Sequence, residues 1–359
     1  MALTNKERCV MRITAAHGIR AYAVRQSLDL SPAMPESLTN RGRRSPEQEE
    51  NMATTQRSVE EIHLGTSRIR FKTILIPTDF SLQSQAAAEL ATSLAHRFDS
   101  ELLFLHVVAP ITYSPGVEVA SDSLMESAAE DARRQMDECV ASCPDWQELQ
   151  HQQLVEYGPL IDAVNRTIAK HKVDLIVCGS HGASGLERIA LGSMAEMILR
   201  HASCPVLVVG PKCHQRQFEG STIVLSTSLG PESYRPAQYA VALAEEMNAR
   251  LTLVHLAKEV PENLSEPVVR HRLCSDARAL LPEDAENWCR IKTQIIFDDG
   301  VDSIVSLAAR EHARLIVMGV HERSPLARTF AGHFSDGAVA KVIREAHCPV
   351  LAVRGHFGS

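Results

Sequence analysis

Four positions in one loop carry the most pointed chemistry in this chain: Gly179, Gly182, Gly192 and Ser193, within Gly179-Ser-His-Gly-Ala-Ser-Gly-Leu-Glu-Arg-Ile-Ala-Leu-Gly-Ser193. Glycine tolerates positive φ and close approach to its backbone, so amide N–H groups can converge on an anion. Gly192-Ser193 stands where a helical pattern, Ser193-Met-Ala-Glu-Met-Ile-Leu-Arg200, begins. The open N–H groups and dipole of a helix start favour phosphate, and the Ser193 hydroxyl adds a hydrogen bond. His181 and Arg188 lie inside the loop, where each could touch the same anion or simply be solvated. Asp79 ends another apolar run, Ile74-Leu-Ile-Pro-Thr-Asp79. Its carboxylate can accept from a ribose hydroxyl or an adenine amine; alternatively Asp79 or Ser81 caps the helix that follows. Read alone, a glycine loop serves plain turns as readily as phosphate cradles.

Other reactive side chains are less suggestive. His106 and His255 recur at matching places, as do His181 and His321. Such recurrence follows from duplication as easily as from catalysis. Cys204 and Cys348 each precede a proline and read as small buried apolar groups. The nine cysteines are scattered without a second pair at zinc-ligand spacing, which predicts free thiols, no protein metal site and a cytoplasmic setting. A formal net charge of -7 argues against a nucleic-acid partner, which would need a basic face. No apolar run approaches the roughly 20 residues of a membrane span.

The loop needs a strand before it and a helix after it, and the surrounding pattern supplies both. Near-continuous apolar runs predict strands at about Thr73–Thr78, Leu102–Val108, Gln152–Glu156, Leu175–Gly179 and Val206–Val209. Helical patterns fall between them at Gln83–His96 and Pro159–Ala169. Strands apolar on both faces that alternate with helices make a parallel sheet covered on both sides. In such a sheet ligands bind beyond the carboxyl ends of the strands, where strand order reverses.

The pattern occurs twice. Thr73-Ile-Leu-Ile-Pro-Thr-Asp-Phe80 matches Thr222-Ile-Val-Leu-Ser-Thr-Ser-Leu229, and Glu101–Val108 matches Arg250–Ala257. Val173–His181 matches Ala313–His321, and Ser203–Val209 matches His347–Val353. All four matches run in the same order, so the chain is a tandem repeat. Its 359 residues are expected to divide into an extension over 1–69, a first domain over 70–212 and a second over 213–359. Met1–Asn51 is rich in Arg, Ser, Pro and Glu and lacks sustained periodicity, which predicts disorder. It reads as a tail, or as an upstream extension of a frame starting at Met52. Glu7 and Asp29 count against an organellar transit peptide.

Ile74–Asp79, Leu105-His-Val-Val108, the spacing Gly179-x2-Gly182-x9-Gly192-Ser193 and the closing Cys204-Pro-Val-Leu-Val-Val209 together resemble the universal stress protein family. The resemblance spans about Arg70 to Arg354. It implies two tandem, open-twisted, five-stranded parallel α/β domains of Rossmann-like, adenine nucleotide alpha hydrolase-like fold. It also implies binding of ATP or a related adenine nucleotide in stress response. Carried over by position, Pro77, Thr78 and Asp79 lie near adenine and ribose, and Val107 or Val108 flanks the base. Gly179, Gly182, Gly192 and Ser193 hold the phosphates, with His181 and Arg188 as further candidates. Mg²⁺ or Mn²⁺ would accompany the phosphates with few protein ligands. The last strand of each domain is the family's dimer contact, which predicts pairing of the two copies about a pseudo-twofold and leaves a further homodimer open.

The second copy departs from the pattern. Ser226 and Ser228 replace Pro77 and Asp79, and the loop Gly319-Val-His-Glu322 leads after nine residues to Gly332-His333. Glu322 in place of Gly182 sets a carboxylate where a triphosphate would lie, a repulsion of about 1 kcal/mol at 4 Å in water and more when partly buried. One intact and one degenerate nucleotide site predict a regulatory protein acting through ATP occupancy on a protein partner that the sequence does not name. A slow ATPase and a scaffold that binds no nucleotide are the alternatives.

Overall fold

A computed structural model of the chain describes residues 69–108, 122–181, 191–215, 217, 222–257, 259–298, 300–320 and 337–354. The predicted N-terminal extension, Gly182, Arg188, His321, Glu322, Gly332 and His333 lie outside the described residues.

The first repeat runs β1 (Thr73–Pro77), α1 (Leu82–Phe98), β2 (Glu101–Val108), α2 (Asp122–Ser142), α3 (Pro144–Glu148), β3 (His151–Tyr157), α4 (Leu160–His171), β4 (Leu175–Gly179), α5 (Ser193–His201) and β5 (Val206–Val209). The second runs β6 (Thr222–Ser226), α6 (Tyr234–Glu246), β7 (Arg250–Ala257), α7 (Glu266–Arg278), β8 (Ile291–Phe297), α8 (Asp302–Arg310), β9 (Leu315–Val320), α9 (Ala338–Glu345) and β10 (Val350–Arg354). The ten strands form one sheet in the order β3-β2-β1-β4-β5-β10-β9-β6-β7-β8. Each half is parallel, and strand order reverses between β1 and β4 and again between β6 and β9.

The halves meet where β5 pairs antiparallel with β10. Leu207 faces Leu351, the residue that corresponds to it in the repeat, while Val206 faces Ala352 and Val208 faces Val350. The local twofold therefore passes between the two leucines, as the repeat predicts. Pairing covers two apolar edges that would otherwise template aggregation.

Side chains alternate along each strand. Ile74 and Ile76 enter an apolar layer with α1, α2 and α6, whereas Leu75 enters the opposite layer with α4, α5, α8 and α9. Both layers run through both repeats. Helix α1 starts at Ser81, whose hydroxyl accepts from Ser84 N at 3.2 Å, and stops at Asp99, which adopts the left-handed φ of 56°.

Two features depart from the sequence reading. The pair α2 and α3 was not anticipated. Its buried stripe is Ala129, Ala132, Met136 and Val140, a helical spacing made mostly of small side chains. In the second repeat, α9 is capped by Gly337 and opens at Ala338, a start for which the sequence reading gave no position. The residue that opens this helix, unlike Ser193, thus has no hydroxyl.

Candidate functional site

The strand ends at the β1/β4 reversal define the crevice. Ile74 pairs with Leu175 and Leu75 with Ile176; continuing that register sets Thr78 level with Gly179. On the other side Pro77 pairs with Leu105, so His106, Val107 and Val108 project past the end of β1. Pro77 and Val108 are buried and Val107 is half-buried. The fold thus brings Pro77, Thr78, Asp79, Val107, Val108, Gly179 and His181 to one end of the sheet, with the start of α5 beside them.

The segment after β1 is tightly tied. Thr78 N–H donates to Leu105 O at 2.8 Å, and Thr78 Oγ1 accepts from Phe80 N at 3.0 Å and donates to Ser84 Oγ at 3.1 Å. Phe80 has a φ of 62°, an unusual conformation for a bulky residue that these bonds enforce. The Phe80 ring stacks on His106, centroids 4.9 Å apart. His106 Nδ1 lies 2.9 Å from Thr78 O; a carbonyl only accepts, so Nδ1 carries the proton. His255 holds Thr227 O at the same 2.9 Å in the second repeat. The recurring histidines are therefore clamps on the strand-end loop. Asp79 Oδ1 accepts from Ser81 N at 3.2 Å, while the helix cap itself is Ser81.

The glycine loop is pinned at its base. Ser180 is fully buried; its N–H donates to Val209 O at 3.0 Å and its carbonyl accepts from Gly192 N at 2.8 Å. Its hydroxyl lies 2.8 Å from His181 Nδ1, which fixes the ring. Among the described residues, the buried His181 Nε2 has no hydrogen-bond partner. A polar atom so placed calls for a ligand or a water. Gly192 caps α5 in extended conformation with no side-chain hydrogen bond, so the first-turn N–H groups receive no side-chain cap. Ser193 opens the helix and is exposed.

Gly179 has a different explanation. A Cβ there would lie 2.9 Å from the backbone of Gln83, so the first turn of α1 packs directly on it. This glycine is required by packing, whatever binds nearby. At the corresponding Gly319 the nearest atom to such a Cβ is Pro236 Cγ at 3.4 Å.

The second crevice differs beyond the substitutions legible in the sequence. Ser228, at the position of Asp79, donates to Glu232 Oε1 at 2.5 Å. Glu232 corresponds to Gln83, and its carboxylate folds over Gly230, where a Cβ would meet it at 2.3 Å. Val320, buried, replaces Ser180, so the hydroxyl that orients His181 has no counterpart. The Gln83-to-Glu232 and Ser180-to-Val320 exchanges stand in the repeat alignment. They draw the eye only once contacts reveal what each side chain touches.

A doubly wound parallel sheet, duplicated in one chain and carrying a strand-end crevice, defines the class. Among the described residues no helix is long and apolar enough to cross a membrane. The universal stress protein family model matches residues 70–210 and again 221–354. The chain belongs to the universal stress protein family, twice over. It is 37% identical over 141 residues to Universal stress protein MJ0531 of Methanocaldococcus jannaschii, covering 39% of this chain and 82% of that one. A universal stress protein of Mycolicibacterium smegmatis is 25% identical over 287 residues, 78% of this chain and 96% of its own. The crystal structure of a universal stress protein from Archaeoglobus fulgidus matches the fold with a TM-score of 0.55 at 17% identity, covering 79% of this chain and 98% of that one.

Proposed function

We propose that this chain is an ATP-binding regulatory protein with one competent site, in the first repeat over 70–212, and a second repeat over 213–359 that binds no nucleotide. The observation that carries the reading is the pinned loop base. His181 Nε2 is buried and, among the described residues, unpartnered beside an α5 start without a side-chain cap, at the sheet's reversal point. A phosphate group satisfies both. Gly182 and Ser193 supply backbone and hydroxyl donors, Gly192 lets the phosphate approach the α5 start, and His181 and Arg188 supply charge or a further donor. Asp79 takes the ribose, and Pro77, Thr78, Val107 and Val108 border the base. A divalent cation, Mg²⁺ or Mn²⁺, rides on the phosphates and spreads their charge. In the second repeat the Glu232 carboxylate lies over the matching strand end and opposes an anion there.

Occupancy of the single site sets the state that a protein partner reads. Binding of ATP to the full chain tests this, alongside Asp79→Ser and Gly182→Glu, which copy the second repeat. The reading expects saturable binding by the parent and at least about tenfold weaker binding by each variant, a loss of about 1.4 kcal/mol. Unchanged affinity in both variants would place the nucleotide elsewhere. Steady phosphate release that Gly182→Glu abolishes would make the protein an ATPase.

A further inference from the structure

The pseudo-twofold at β5 and β10 is broken where Arg354 stands in place of Gly210, and that break touches α5. Arg354 closes β10 and corresponds to Gly210 just beyond β5; the two stand at the same distance after their Cys-Pro pairs. Leu199 of α5 and Ile343 of α9 likewise stand at the same distance before those pairs. Arg354 Nη2 donates to Leu199 O at 2.8 Å. The symmetry-related contact is made of backbone alone: Gly210 packs so closely under α9 that a Cβ on it would lie 2.0 Å from Ile343 O. A long cationic side chain of the second repeat therefore holds a main-chain carbonyl of the first repeat's helix; Gly210 has no side chain to do the same, and α9 is tied instead through its own Glu345 side chain to Lys212 at 2.5 Å.

Leu199 O lies in the last turn of α5, where carbonyls lack intrahelical donors and the helix dipole is negative, so a guanidinium satisfies both the hydrogen bond and the charge. Arg354 is itself seated, since Arg235 of α6 donates to its carbonyl at 3.4 Å. At the other end of α5, Gly192 N–H is tied to Ser180 O at 2.8 Å. The helix is a short rigid rod clamped at both ends, one clamp from each repeat.

We infer that Arg354 is a positioning residue for the nucleotide site: the degenerate repeat holds α5, and with it the phosphate-facing Gly192-Ser193, in place. This rests on the nucleotide reading above. It gives the second repeat a role that survives the loss of its own site.

The test uses the full chain with Arg354→Met, which keeps an apolar stem but removes the donors, and Arg354→Lys, which keeps one charged donor. Amide hydrogen exchange of α5 without nucleotide and ATP affinity are both read. Arg354→Met is expected to speed exchange in α5 selectively and to weaken ATP binding at least about fivefold, with Arg354→Lys recovering part of both. Unchanged α5 exchange in Arg354→Met overturns the inference, as does faster α5 exchange with unchanged ATP affinity. Exchange that rises equally throughout the first repeat also overturns it, because Arg354 would then be general glue at the junction. A parent chain that binds no ATP sinks the functional reading, while the exchange measurement still decides whether Arg354 holds α5.

Discussion

At the scale of single residues, roles that look alike in the sequence separate once packing is considered. Gly179 and Gly192 belong to the same signature, yet Gly179 answers to α1 and Gly192 to the loop base. Gly179→Ala should therefore destabilise the chain by about 1–3 kcal/mol in urea unfolding, because the added methyl meets backbone that cannot swing away. A change below about 0.5 kcal/mol would show that α1 yields. Burial likewise explains the cysteines. The thiols of Cys178, Cys204 and Cys348 are each pushed up to about 12 by desolvation from an ordinary value of 9.0. Between those values the folded chain keeps protons that the unfolded chain releases. The thiol contribution is thus fully present below about pH 9 and is lost as pH rises toward 12, by up to about 1.4 kcal/mol per pH unit for each thiol. Urea midpoints from pH 8 to 10.5 should fall, and Cys178→Ala should flatten the slope.

At the scale of elements, the strands of the first repeat and the α1 and α4 patterns were legible because their chemistry is local, whereas β8 was not read. β1, β4 and β5 are continuous apolar runs, and α1 is rich in alanine and leucine. Helix α2 was not read, since half of its buried stripe is alanine and the stripe lies within a strongly charged segment. Met136 is its largest fully buried side chain, so Met136→Ala should cost about 2–5 kcal/mol. A cost below about 1 kcal/mol would mean that α2 packs loosely. The start of α9 was not read either: its cap is Gly337, whose role is set by backbone conformation. The candidate site was legible as a set of strand ends and glycines. Its supports were not: the Ser180 knot, the His106 clamp and the Glu232 carboxylate all depend on contacts between segments distant in the chain or on side-chain direction.

At the scale of the molecule, both repeats share one sheet and two apolar layers that cross the β5–β10 seam. Calorimetry should show one unfolding transition; two resolved transitions would mean that the halves are independent. Shared structure and divergent crevices lead to the central claim, that duplication kept two folds and one nucleotide site. Titration calorimetry of the full chain with ATP and Mg²⁺ tests it most directly through the stoichiometry. The account predicts one ATP per chain, lost in Gly182→Glu and unaffected by Glu232→Gln. Two nucleotides per chain, or one that survives Gly182→Glu, would contradict it.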